Sequence, residues 1–348
     1  MIDSRVQKLV EKLEEKNLDA YFVIDSSNIF YLSGLRVEGF VLITRKGERF
    51  LITSPMYQEE ILEKKRGWKV LIGEDRRKLE LSFVEILDKL EIKNCGFDAR
   101  TVSYELYQRI KRKYKKELVP CDNILKKIRA VKSKKEIELI KKAAGVVLET
   151  FDYLKKILTP SITEKDLARE ATGYILKKAD EIAFPPIVLF GSRTSLPHGR
   201  PQDVRLQDKE LVLIDIGAKV EGYCSDITRT FILRENNRRW RKIYRVIEEV
   251  REKVIKELAK PGIKCMDIEK FTREKITASG YKEAILHGTG HGVGLDVHEE
   301  PLIGITSESV LEEGMVITVD PGIYLPGKGG IRIEDMVLIT SKGGQILP

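Results

Sequence analysis

Two stretches of alternating β-branched residues, each placing a pair of acids about a turn, restrict this chain more than any other feature. Residues 211–231 read LVLIDIGAKVEGYCSDITRTF. The apolar runs flank a turn near Glu221-Gly222, the pattern of a β-hairpin. Asp215 lies in the first run and Asp226 in the second, with their midpoint close to the turn. In a tight hairpin they stand opposite each other or one diagonal step apart, roughly 5–8 Å between Cβ atoms on one face. Like charges so placed repel, so something positive must sit between them or one must keep its proton. The pattern recurs in MVITVDPGIYLPGKGGIRIEDMVLIT, where Asp320 ends one run and Glu334 lies on the next. Their midpoint is Gly327, inside the turn LPGKGG.

Between the two ribbons lies most of the chain's histidine. There are four in all: His198 in LPHGRP, and His287, His291 and His298 in HGTGHGVGLDVHEE. That clustering points to a site. HGTGHGVG is no comfortable helix, because each of its glycines costs about 1 kcal/mol relative to alanine in a helix. His287 and His291 are therefore not a helical zinc pair. His291 is expected to begin a strand after a glycine-rich turn, since Val293, Leu295 and Val297 alternate after it. Four carboxylates and an imidazole make a hard, oxygen-rich set of formal charge −4, which two divalent cations would cancel. Ligand softness favours Mn²⁺, Co²⁺ or Mg²⁺, with Zn²⁺ and Fe²⁺ left open. Such a pair of ions suits metal-assisted hydrolysis.

The rest of the chain frames this site. Its 348 residues suggest two domains. The first ~120 residues mix a helical period (Val6, Leu9, Val10, Leu13) with strand-like runs at 20–24, 40–44 and 49–53 and helical patterns at 58–66, 82–90 and 103–114. That reads as an α/β unit, a sheet covered by helices. Pro120 breaks the pattern. Ser133 and Glu136 form a capping box opening a helix over 135–158, and a second helix is expected over 161–178. The domain boundary is placed at about 125. Apolar residues are 42% and charged residues 33%, a globular balance. The net charge of +8 is a weak lead toward nucleic acid, because the basic stretches 111–116 and 234–242 read as solvated helix faces. The four cysteines are widely spaced and read as free thiols. No run approaches the ~18 apolar residues of a membrane span. The start is charged and lacks a signal-peptide core. A cytoplasmic protein is expected.

Taken together, DIG at 215–217, SDITRT at 225–230, HGTGHGVGLDVHE at 287–299, DPGIY at 320–324 and GIRIED at 330–335 resemble the pita-bread metallopeptidases, specifically the Xaa-Pro dipeptidase (prolidase) and aminopeptidase P branch. LPHG at 196–199 and NIFYLSG at 28–34 match as well, so the likeness spans essentially the whole chain. It implies an α+β chain: an N-terminal creatinase-like α/β domain (1–125) serving dimerisation and the pocket wall, then a catalytic pita-bread domain (126–348). It implies five metal ligands, Asp215, Asp226, His291, Asp320 and Glu334, with Asp226 and Glu334 bridging two divalent ions, Mn²⁺ or Co²⁺ foremost. His198 and His298 would line the pocket and steady the developing oxyanion. Asp320 would carry the proton, and His287 and Arg332 would help bind substrate. The implied reaction is hydrolysis of the bond between an N-terminal residue and proline by a metal-bridging hydroxide, on short peptides, in a homodimer. Methionine aminopeptidases share the ligand series, but the LDVHE segment and the preceding domain resemble the Xaa-Pro branch. The alternative is a non-catalytic pita-bread protein that binds protein or nucleic acid.

One position departs from the family pattern, which usually has Glu where this chain has Asp320. Asp is shorter by roughly 1.5 Å, whereas metal–ligand distances tolerate only about 0.2 Å. The backbone must move in, a water must bridge, or one ion binds weakly.

Overall fold

The computed structural model describes residues 2–64, 67–122, 124–207, 211–233 and 237–348. The expected helix over 58–66 and the basic stretch 234–242 therefore lie partly outside the described residues. The chain divides into two compact units, Met1–Ile128 and Arg129–Pro348.

The first unit is built on six strands, β1 (Ala20–Val23), β2 (Gly39–Thr44), β3 (Arg49–Thr53), β4 (Lys69–Ile72), β5 (Asn94–Asp98) and β6 (Glu117–Cys121), in the order β4-β3-β2-β1-β5-β6. The β1–β2 and β2–β3 pairs are antiparallel, and the pairs made by β4, β5 and β6 are parallel. Helices α1 (Ile2–Glu15), α2 (Ser26–Ser33), α3 (Gln58–Lys64), α4 (Arg76–Lys89) and α5 (Tyr104–Lys113) accompany it. Asp75 and Ser103 cap α4 and α5 by accepting backbone N–H bonds. Phe22, Phe40 and Phe83 stack at centroid distances of 4.9–6.4 Å at the centre of the core. Helix α6 (Ile124–Ala130) follows.

The second unit opens with α7 (Lys134–Ile157), whose N-terminus carries the Ser133–Glu136 capping box, and α8 (Glu164–Leu176), started by a similar box at Thr163 and Asp166. Its strands are β7 (Glu181–Ile182), β8 (Ile187–Phe190), β9 (Leu211–Ile216), β10 (Ala218–Val220), β11 (Tyr223–Cys224), β12 (Ile227–Ile232), β13 (Gly290–Gly292), β14 (Glu299–Ile303), β15 (Val316–Val319), β16 (Gly322–Leu325), β17 (Gly329–Arg332), β18 (Asp335–Thr340) and β19 (Gly343–Ile346). They pair antiparallel, in short sheets ordered β12-β9-β8, β11-β10-β7 and β14-β13-β15-β18-β19 with the two-stranded ribbon β16-β17. Helices α9 (Arg238–Lys253) and α10 (Cys265–Ala278) bury Trp240, Ile243, Ile247, Ile268 and Ile276 in a common core with Ile317, Val319, Ile331 and Val337 of the strands. On α9, Arg238, Arg239, Arg241 and Lys242 are exposed while Trp240 is buried, so the basic stretch there is a solvated face. All four cysteines are free and buried. Among the described residues no helix is long and apolar enough to cross a membrane.

Candidate metal centre

Both acidic ribbons form, and their registers fix where the carboxylates fall. Across β9 and β12, Asp215 is opposite Thr228, and the same register runs through Val220↔Tyr223 to the two-residue turn Glu221-Gly222. That turn has φ of 46° and 89°, the left-handed pair a tight hairpin requires. Asp226 therefore faces Gly217, one diagonal step from Asp215. In the second ribbon Val319↔Asp335 and Gly322↔Arg332 share one register, which sets Asp320 directly across from Glu334. The ladder is interrupted between those pairs, and the freed N–H groups bond outward. Asp320 donates to the carbonyl of Thr289 (2.8 Å) and Glu334 to that of Thr228 (3.1 Å).

The imidazole arrives on β13, between β14 and β15. Its backbone N–H donates to Thr318 Oγ1 (3.2 Å), and a side chain at Gly290 would run into the Thr318 carbonyl. The expected continuation of this strand through Val297 is wrong. The register shifts between His291 and Gly292, and residues 293–298 form a turn instead. The N–H of Asp296 bonds Glu299 Oε1 at 3.0 Å. Closing on that buried carboxylate wins over the apolar alternation.

Asp226, His291 and Glu334 each aim a ligand atom so that all three lie within 4.8 Å of one another. His291 Nε2 is 3.6 Å from Asp226 Oδ2. All nine site residues named from the sequence (His198, Asp215, Asp226, His287, His291, His298, Asp320, Arg332 and Glu334) line one cavity of about 320 Å³. Asp215 and Asp320 stand beside the three-residue group rather than in it. Arg332 Nη2 holds Asp215 Oδ2 at 2.5 Å, and Asp320 Oδ2 is 4.0 Å from His287 Nδ1.

The electrostatics follow from packing four acids out of water. Burial first, and then Glu334 and the other acids, raise Asp226 well above the usual carboxylate range. Asp320 is raised the same way, and Glu334 is pushed up to about 8 by burial and then Asp215. Burial lowers His287 and His291 to about 4, so both rings are neutral at pH 7. His291 Nδ1–H then donates to the Gly292 carbonyl (3.1 Å), which leaves Nε2 as a bare lone pair facing the acids. Around His287 the tautomer is fixed by a relay. Arg332 Nη1 donates to Tyr324 Oη (2.9 Å), Tyr324 donates to His287 Nε2 (2.7 Å), and His287 Nδ1–H donates to the Gly288 carbonyl (2.8 Å).

These donors fit divalent cations. Among the described residues, Asp215 Oδ1 and Asp320 Oδ1 are buried with no hydrogen-bond partner, an arrangement that costs free energy unless a cation satisfies it. Hard oxygen donors with one neutral imidazole are a ligand set for divalent cations. Sequence reasoning missed the residues that hold this set in place. Thr228 Oγ1 donates to Glu334 Oε2 (2.8 Å) and accepts from Arg332 Nε (3.1 Å), while Tyr324 joins Arg332 to His287. Thr228 and Tyr324 sat inside quoted motifs, and the ribbon registers were the available cue to both.

A curved set of antiparallel ribbons gathering acids and a neutral imidazole into a buried cavity defines a metallohydrolase. The model of metallopeptidase family M24 matches residues 138–341, and that of the creatinase/prolidase N-terminal domain matches residues 5–131. The chain is 36% identical to the Xaa-Pro dipeptidase of Pyrococcus furiosus over 99% of this chain and 97% of that one. Among solved structures it is similar to an Xaa-Pro dipeptidase from Bacillus anthracis (TM-score 0.94, 30% identity, 100% and 97% of the two chains). It is also similar to an X-Pro aminopeptidase from Thermotoga maritima (TM-score 0.90, 31% identity, 98% and 96%). The chain belongs to metallopeptidase family M24, with a creatinase-like N-terminal domain followed by a pita-bread domain. That membership makes it a hydrolase rather than the non-catalytic binding protein weighed as the alternative.

Proposed function

We propose that this metallopeptidase cleaves the bond between an N-terminal residue and proline in short peptides, using two divalent cations, Mn²⁺ or Co²⁺. The observation that carries this reading is the Asp226–His291–Glu334 group, its ligand atoms within 4.8 Å of one another, flanked by the unpartnered oxygens of Asp215 and Asp320. Its relatives' activities and the metal preference of the donors support it. Asp215, Asp226, His291, Asp320 and Glu334 would hold the ions. When bound, the cations would acidify a water and polarise the scissile carbonyl.

The chain's own residues do the rest. His198 and His298, on the cavity wall, would hydrogen-bond the substrate carbonyl as negative charge builds on it. Asp320, on the cavity wall, would take a proton from water and pass it to the leaving proline nitrogen. An amine leaves only when its nitrogen gains a proton, so cleavage depends on the proton delivered there. Arg332 orients Asp215, and its Tyr324 relay fixes the tautomer of His287, which burial keeps neutral. We further read the N-terminal domain as the dimerisation element and pocket wall of a cytoplasmic homodimer. The free, buried cysteines support that compartment.

The test is to offer an Xaa-Pro dipeptide and an Xaa-Pro-Yaa tripeptide to Mn²⁺-loaded and Co²⁺-loaded protein, with an Xaa-Ala peptide as control. Cleavage before proline with either ion supports the proposal. Cleavage of the alanine control alone would overturn it.

A further inference from the structure

His298 is an exposed ring next to a buried anchor. Its imidazole lies 4.3 Å, centroid to centroid, from that of His291 and tilts by 58°. It makes no hydrogen bond to the described residues, so its place is set by the backbone that carries it. On one side that backbone is Glu299, which is 6% exposed. The Glu299 carboxylate receives Arg129 Nη2, Lys132 Nζ (3.4 Å) and the N–H of Asp296 (3.0 Å). Arg129 Nη2 also bonds Asp296 Oδ2 at 2.7 Å. On the other side the turn is pinned at Gly294, whose carbonyl accepts the Cys224 N–H (2.7 Å) and whose N–H bonds the Asp296 carbonyl (3.0 Å). A Cβ at 294 would lie 2.5 Å from Glu299 Oε2, so a glycine is what lets the turn close on the carboxylate.

Burying two cations against the Glu299 carboxylate is costly, and such clusters are often replaceable by apolar side chains with no loss of stability. Here the ion cluster fixes the residue adjacent to His298. We propose that Glu299, gripped by Arg129 and Lys132, is a positioning residue that aims His298 into the cavity. The catalytic part of this inference rests on the proposed peptidase activity; the structural part does not.

The experiment uses Lys132→Met and Glu299→Gln. The second keeps the side-chain shape and carries the test should the first fail to fold. The chain has four histidines, so selective labelling resolves each ring by NMR in the diamagnetic Zn²⁺-loaded protein, and His298→Ala identifies its signal. The His298 signal should shift or broaden in both variants while that of His198 stays in place and metal content is unchanged. An unmoved His298 signal in the folded variants overturns the proposal. In turnover of a Xaa-Pro peptide, each variant should lower kcat about tenfold alone, and by less than about twofold in the His298→Ala background. Equal losses in both backgrounds would show that the cluster acts elsewhere. Should His298→Ala itself leave turnover intact, the catalytic reading of His298 fails, and the ring spectrum still decides the positioning claim.

Discussion

The two acidic ribbons solve one problem in different ways. The first keeps one register to the turn at Glu221-Gly222 but interrupts its ladder beside the acids, where the freed Asp226 N–H meets Met336 Sδ at 3.4 Å. Its acids stand diagonally, with Asp215 paired to Arg332. The second breaks its ladder where Asp320 and Glu334 face each other, and the N–H groups released there bond Thr289 of the histidine segment and Thr228 of the first ribbon. A continuous ladder would hold the pair opposite but would tie it to nothing else. The interruption stitches three separate segments into one centre. The second ribbon thus ties by backbone hydrogen bonds to both other segments, whereas the freed Asp226 N–H of the first meets only the Met336 sulfur.

That asymmetry can be broken at several levels. Glu334→Gln removes a charge from the three-residue group itself. It should abolish tight Mn²⁺ binding and lower kcat/KM by about 10³-fold, since lost Lewis-acid stabilisation is worth several kcal/mol. Calorimetric metal titration with peptide assays checks both. Thr228→Val cuts the side-chain tie between the ribbons. It should weaken metal binding about 10–100-fold and cost about 1–3 kcal/mol of stability in urea. A silent variant would show that the backbone stitch suffices. Asp320→Glu restores length to the shorter acid. A several-fold change in metal affinity or kcat is expected, and unchanged values would mean the shortening has no functional consequence.

The smallest effect is on stability against pH in the metal-free protein. Glu334 has its folded pKa raised to about 8, above the ordinary ~4.3 of an unfolded glutamate. The folded state thus holds its proton longer, and stability falls as pH rises through that interval. His287 and His291 act oppositely, but only between about 4 and their unfolded value of about 6.5. Between pH 6.5 and 8 the carboxylates act alone. The Tm of metal-free protein should drop by a few degrees there, and Mn²⁺ should remove the slope. A flat Tm without metal would contradict the mutual repulsion of these acids.

Much of this arrangement was legible in the sequence because hairpin register is local. The turn glycines and the alternation around them set which acids share a face, so the pairing of Asp215 with Asp226 and of Asp320 with Glu334 could be reasoned from spacing. The helix start at Ser133 was legible for the same reason, since a capping box is contained in four residues, whereas the second helix, expected from 161, starts at Glu164 behind the box of Thr163 and Asp166. What could not be read depends on distant partners. Residues 293–298 alternate like a strand, yet turn because Glu299 is held by Arg129 and Lys132, more than 160 residues away. The Arg332–Tyr324–His287 relay and the tie through Thr228 likewise exist only once separate ribbons are packed together.

The most direct test is anomalous diffraction from crystals of the Mn²⁺-loaded protein. The account predicts density among Asp226, His291 and Glu334, with a second ion beside Asp215 or Asp320. Strong manganese peaks elsewhere on the molecule, with none in this cavity, would contradict it.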